Sequence, residues 1–213
     1  KITFSIEAMA ALVIMTDFIP RFGLGHGIFN SLFLAVSAFC NAGFDVLGKG
    51  NSLISFNTNV VVIMVLSILI IIGGLGFTVW SELYTCKSIR RVSIHSKMVL
   101  LITTGLVVGG TLLMFLFEHN NPQTISKMSF INKLTNSFFA SVTPRTAGFN
   151  SISTSGMTTA GQFLTIILMF IGGSPGSTAG GIKTTTIGVL IVTVVSVIRG
   201  REDSEVFKRR FSK

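Results

Sequence analysis

Apolar residues gather along this chain in long blocks, with none of the strict alternation of half-buried strands. Ile2 to Ile19 is apolar apart from Glu7, Asp17 and a few small polar residues, Val60 to Trp80 holds no charge, and Met98 to Phe117 holds none either. A helix needs about 20 residues to cross the hydrocarbon of a bilayer, so each block predicts a spanning helix. A fourth block, Ala160 to Ile198, carries one charge, Lys183. At about 1.5 Å per residue it would overshoot a bilayer if straight, so it must break. The break falls in its glycine-rich stretch, "GGSPGSTAGGIKTTT", Gly172 to Thr186.

Two intervening stretches, Pro20 to Asn59 and Glu118 to Thr159, are each too long for a simple turn. Each holds an apolar segment too short to span, Ile28 to Cys40 and Ser129 to Val142. Such segments suit re-entrant helices that dip in and return on the same side, where protein or water covers their ends. Mean hydropathy of +0.73 and 12% charged residues agree with a membrane protein. Lys and Arg number 17 against 8 Asp and Glu, a net charge of +9, which in a soluble chain would suggest nucleic acid. Position excludes that reading. Lys87, Arg90, Arg91 and Lys97 crowd one linker, and Arg199, Arg201, Lys208, Arg209, Arg210 and Lys213 crowd the tail. The positive-inside rule predicts both to be cytoplasmic in a multi-pass protein of the cell membrane, with Trp80 and Tyr84 near the inner interface and both dips facing outward. Basic linkers also suit anionic lipid or a cytosolic partner.

Cys40 and Cys86 fall at opposite depths, which argues against a disulfide. His26, His95 and His119 are scattered among loops without metal-ligand spacing. The chain opens at Lys1 inside an apolar run, which predicts a piece of something longer.

The glycine-rich stretch superficially resembles a phosphate-binding loop. Gly176, four residues and Gly181 fit that pattern, but Ile182 separates the glycine from Lys183. No later apolar strand ends in an acidic residue to hold magnesium. A different pattern is stronger, because the two dips repeat. Asn30-Ser31-Leu32-Phe33 precedes Asn41-Ala42-Gly43-Phe44, Asn136-Ser137-Phe138-Phe139 precedes Thr146-Ala147-Gly148-Phe149, and Ile72-Gly73-Gly74 matches Ile171-Gly172-Gly173. The unit predicted is a span, a short helix, a loop and a second span, twice in the same orientation. A short helix that stops at mid-membrane aims its C-terminal partial negative charge inward, where a cation is stabilised. The loop climbing back out must turn its carbonyls to an ion, water or protein. Gly43 and Gly148 permit backbone angles closed to other residues and add no side chain to the axis. Rings of such carbonyls replace the hydration shell of a cation in potassium-selective filters.

With "SAFCNAGFD", "PRTAGFN" and above all "GGSPGSTAGGIKTT", the chain resembles the Trk/Ktr/HKT superfamily of cation-translocating membrane subunits, most closely the bacterial KtrB type. The likeness covers nearly the whole chain. It implies an all-α membrane protein of tandem span, pore helix, filter loop and span repeats, like potassium-channel pore modules. Family members carry four such repeats around one pore, and these two correspond to the second and third. Residues 1–86 are then one repeat, 87–97 a cytoplasmic linker, 98–199 the next repeat, and 200–213 a linker toward another. In the family a serine replacing the first repeat's glycine goes with sodium transport. The resemblance implies a filter of Asn41, Ala42, Gly43, Phe44, Thr146, Ala147, Gly148 and Phe149, with K+ as transported ion on the carbonyls of Asn41, Ala42, Gly43, Thr146, Ala147 and Gly148. It also implies an intramembrane gating loop of Gly172, Gly173, Ser174, Pro175, Gly176, Ser177, Thr178, Ala179, Gly180 and Gly181, with Lys183 following. A homodimer and a cytosolic nucleotide-binding ring of RCK type are implied as partners, with nucleotide bound by the ring and none on this chain.

Polar backbone at membrane depth costs several kcal/mol per bare group, so the loop must line a wet cavity. Lys183 would lie about 22 Å deeper than Arg199 along a helix. It suits either binding loop carbonyls in a shut gate or capping a half-helix C-terminus. A secondary transporter with a broken-helix site stays open as a rival. An intramembrane hydrolase using Ser174 or Ser177 lacks a histidine inside any span, and no enzymatic chemistry is expected. Two copies of a chain this long would also supply four filter loops around one axis.

Overall fold

The computed structural model describes residues 2–47, 52–86, 92–198, 204–206 and 209–211. Lys87, Arg90, Arg91, Arg199, Arg201, Lys208 and Lys213, on which much of the predicted orientation rests, lie outside the described residues. The chain runs through α1 (Ile2–Phe22), α2 (Leu24–Phe39), α3 (Val60–Leu75), α4 (Phe77–Thr85), α5 (Ile94–Glu118), α6 (Phe130–Val142), α7 (Thr159–Phe170) and α8 (Thr184–Ile198). A short hairpin follows, in which β1 (Ser204–Val206) pairs antiparallel with β2 (Arg209–Phe211).

Among the described residues α1 and α5 are each long and apolar enough to cross a membrane, by length and composition. Large apolar side chains such as Phe4, Met9, Leu101, Leu112, Phe163, Ile166, Leu190 and Ile198 are exposed. In water such a surface would be a liability, whereas lipid covers it without cost. The short helices α2 and α6 have 16 and 13 residues, about 24 Å and 20 Å of helix. Gly23, at φ 77, turns the chain sharply from α1 into α2. Ser129 opens α6, its hydroxyl accepting from Asn132 N at 3.4 Å.

The second predicted span, Val60 to Trp80, departs from the expected straight run. Helices α3 and α4 meet at a 94° bend. Gly76 sits at the corner with φ 85 and ψ 148, a conformation that glycine alone adopts readily. The fourth block breaks where the glycine-rich stretch predicts, between Phe170 and Thr184. α5 begins at Ile94, inside the predicted linker, because Ser93 caps it by accepting from Ser96 N at 3.2 Å.

One apolar core joins the two halves, with Phe18, Leu34, Phe39 and Leu66 from the first and Val107, Phe139, Ala147 and Phe149 from the second. A smaller cluster of Met114, Ile125, Ala140, Ile152, Leu164 and Leu168 lies within the second half. Helices α2 and α6 both pack on α3, and this brings the loops after them side by side.

Candidate functional site

Each loop continues directly from the C-terminal end of its short helix. Asn41 and Gly43 have φ of 50 and 73 in the first loop, and Thr146 and Gly148 have 75 and 84 in the second. Ala42 and Ala147, between them, are not in the left-handed region. In each loop a left-handed residue, an alanine outside that region and a left-handed glycine follow in turn. A non-glycine residue at positive φ is uncommon, and of three among the described residues two occupy these matched positions. Their supports match as well. Ser37 Oγ donates to the Phe44 carbonyl at 2.7 Å and Thr143 Oγ1 to the Phe149 carbonyl at 2.6 Å. The sequence separations are 7 and 6, so the first tie spans one residue more.

Gly43 and Gly148 face each other. A Cβ on Gly43 would collide with the Ala147 carbonyl oxygen and stand 3.2 Å from Gly148 Cα, and one on Gly148 would stand 3.4 Å from Gly43 Cα. Both loops border a cavity of about 350 Å³, through Ala42, Thr146, Ala147 and Gly148.

The glycine-rich loop lies against the same two segments. Its base is pinched where Gly172 N donates to the Ile182 carbonyl at 3.0 Å and Ile182 N to the Phe170 carbonyl at 3.2 Å. Beyond the pinch it rests on the corner between α3 and α4. Ser174 N donates to the Gly74 carbonyl at 3.0 Å, Thr178 N to that of Gly73 at 3.3 Å, and Phe77 N to that of Gly176 at 3.2 Å. Ser174 Oγ donates to the Leu75 carbonyl and Ser177 Oγ to that of Ser174. Much of the backbone expected to face water is therefore paired with protein. Toward the first loop, Asn41 Nδ2 donates to Thr178 Oγ1 at 2.8 Å; toward the second, Gly180 N donates to Thr146 Oγ1 at 3.1 Å. Lys183 Nζ donates to the Ala179 carbonyl at 2.8 Å, inside the loop.

A sequence profile of the TrkH cation transport proteins matches residues 1–213. The chain belongs to this family. It is 47% identical over 209 residues to the potassium/sodium uptake protein NtpJ of Enterococcus hirae, covering 98% of this chain and 46% of that one. It is 39% identical over 205 residues to the Ktr system potassium uptake protein B of Bacillus subtilis, covering 96% and 46%. The fold is that of the potassium transporter TrkH from Vibrio parahaemolyticus, with a TM-score of 0.77, 18% identity, and 99% of this chain and 43% of that one covered. The chain thus spans just under half the length of these relatives.

Within this TrkH-family fold two charged residues escaped the reading of motifs. Arg145 lies between Pro144 and the second loop, 6% exposed, with Nη2 donating to the Gly172 carbonyl at 3.4 Å and Nε unpartnered among the described residues. A lone cation in an apolar dip is the signal that marks it. Glu118, 1% exposed, accepts from Asn121 Nδ2, Thr124 Oγ1, Thr158 N and Thr158 Oγ1 at 2.7 to 2.8 Å. Thr158 caps α7, so this carboxylate also sits at the favourable positive end of that helix. Cys40 and Cys86 are both free. No group of three metal-ligating side chains occurs among the described residues.

Proposed function

We propose that this chain forms half of the pore of a potassium uptake system. K+ sheds its water onto the backbone carbonyls of Asn41, Ala42, Gly43, Thr146, Ala147 and Gly148, with Phe44 and Phe149 closing the loops. The loop from Gly172 to Gly181 lies below as the gate, worked by a cytosolic nucleotide-binding ring of RCK type on a homodimer in the cell membrane. The nucleotide stays on the ring, and the basic linkers face the cytoplasm. The observation that carries this reading is the paired alternation of φ in two loops whose glycines meet face to face. Backbone carbonyls of two such loops supply the fixed dipoles that replace hydration without reorganising. The ends of α2 and α6 add their negative partial charge at the same place. Relatives named as potassium uptake proteins of the Ktr system support the choice of ion and the need for further subunits.

Sodium is the second reading, favoured by the NtpJ relative, named for uptake of both ions. Cation flux through the full-length parent in liposomes separates the two. K+ is expected to pass in preference to Na+, and Gly43→Ser and Gly148→Ser are each expected to lower the K+ to Na+ ratio about tenfold or more, since a side chain enters a left-handed position packed against the opposite loop. An unchanged ratio in both variants would move the ion's carbonyls elsewhere.

A further inference from the structure

Resting on that reading, we propose that the glycine-rich loop shuts the pore by holding two side-chain ion ligands at the deep end of the filter, Asn41 and Thr146. Releasing the loop then opens the path and completes an inner site for a dehydrated alkali cation in one event.

Hydrogen-bond direction decides the first half. Thr178 Oγ1 donates its single proton to the Phe39 carbonyl at 3.0 Å, so toward Asn41 it can only accept. The Asn41 amide must turn its NH2 to Thr178, as it does at 2.8 Å, and this leaves Oδ1 as the spare acceptor. Asn41 is 8% exposed, and Oδ1 has no partner among the described residues. Buried amide oxygens are rarely left so. A neutral oxygen of this kind suits an alkali cation.

Thr146 supplies the second half. It holds the position equivalent to Asn41, with the same left-handed backbone, two residues before the glycine of its own loop. Its hydroxyl oxygen accepts from Gly180 N at 3.1 Å. A cation approaching that oxygen competes with the N–H for its lone pairs and is repelled by the amide hydrogen. Loop contact and ion occupancy therefore oppose each other. By linkage, a cation that favours the released state must also favour release of the loop. Gly73 permits the arrangement, since a Cβ there would collide with the Phe39 carbonyl and stand 3.1 Å from Asn41 Nδ2.

The test uses the full-length protein in liposomes without its regulatory subunit, with hydrogen exchange of residues 172–181 read beside cation flux. In the wild type, K+ in place of N-methylglucamine is expected to speed loop exchange about fivefold or more while α5 exchange stays constant. Thr178→Val removes both hydroxyl bonds at nearly unchanged shape, and is expected to raise unregulated K+ flux about tenfold and make loop exchange fast in either medium. Thr178→Ser keeps both bonds and should behave as wild type, which guards against a mere folding defect. Wild-type K+ flux with loop exchange indifferent to K+, or a Thr178→Val protein with wild-type flux and exchange, overturns the latch and leaves the proposed function standing. Absence of K+ flux in both the wild type and Thr178→Val, with loop exchange fast in the variant, overturns both.

Discussion

The two second spans of this chain break beside the same Ile-Gly-Gly triplet, and they break differently. The first turns a single corner at Gly76, after its triplet, and continues as α4; the second leaves its helix at Phe170, before its triplet, and wanders through a loop until α8 begins. The corner offers carbonyls, from Gly73, Gly74 and Leu75, and the loop answers with donors, from Ser174 and Thr178. One break is thus the seat of the other. A pair of interrupted helices leaves backbone groups without helical partners, and here each interruption satisfies its neighbour.

The seat depends first on close approach. A Cβ at Gly73 would overlap the Phe39 carbonyl, and one at Gly172 would overlap that of Gly180. Gly73→Val and Gly172→Val are each expected to cost about 3 kcal/mol or more, because the obstructing atoms are backbone. Loss of folded, monodisperse protein in a thermal size-exclusion assay would register it, and wild-type melting of either variant would show that the segments do not meet so closely.

Gly76 and Gly176 sharpen the contrast, having φ of 85 and 72 but unlike surroundings. A Cβ at Gly76 would lie 2.6 Å from Ser174 Oγ and 2.8 Å from the Pro175 carbonyl oxygen, whereas at Gly176 nothing lies within 4 Å. Gly76→Ala should therefore lose about 2–4 kcal/mol and Gly176→Ala about 1 kcal/mol, the part due to backbone alone. Equal losses would mean that the corner does not bear on the loop.

The starts of the two spans differ less. Asn59 alone caps α3, accepting from Val62 N at 3.1 Å, while the cap of α7 is itself held by Glu118. Glu118→Gln puts an NH2 among donors, and should lower stability by about 1–3 kcal/mol in chemical denaturation. No change would mean that the four bonds are not made together.

Much of this was legible in the chain itself. Long apolar blocks marked α1 and α5, the short segments after Ile28 and Ser129 marked α2 and α6, and excess length demanded the break before Thr184. The corner at Gly76 was not legible, since an uncharged run from Val60 to Trp80 looks the same to a hydropathy reading whether straight or bent. Nor was the pairing of the loop backbone, whose partners sit about 100 residues earlier in the chain. Arg145 was hidden by its place inside a motif, and Glu118 by its place at the edge of a block. That Asn41 and Thr146 share a backbone conformation became visible only in three dimensions, because their side chains have little in common.

The bond that ties the first loop to its helix spans one residue more than its counterpart in the second, and Asn41 and Thr146 stand at matched positions. Identical chains around an axis copy any substitution into every member of the ring. In the pore proposed above a substitution alters a single wall, so preference among ions can be adjusted in small, independent steps that a symmetric assembly cannot take.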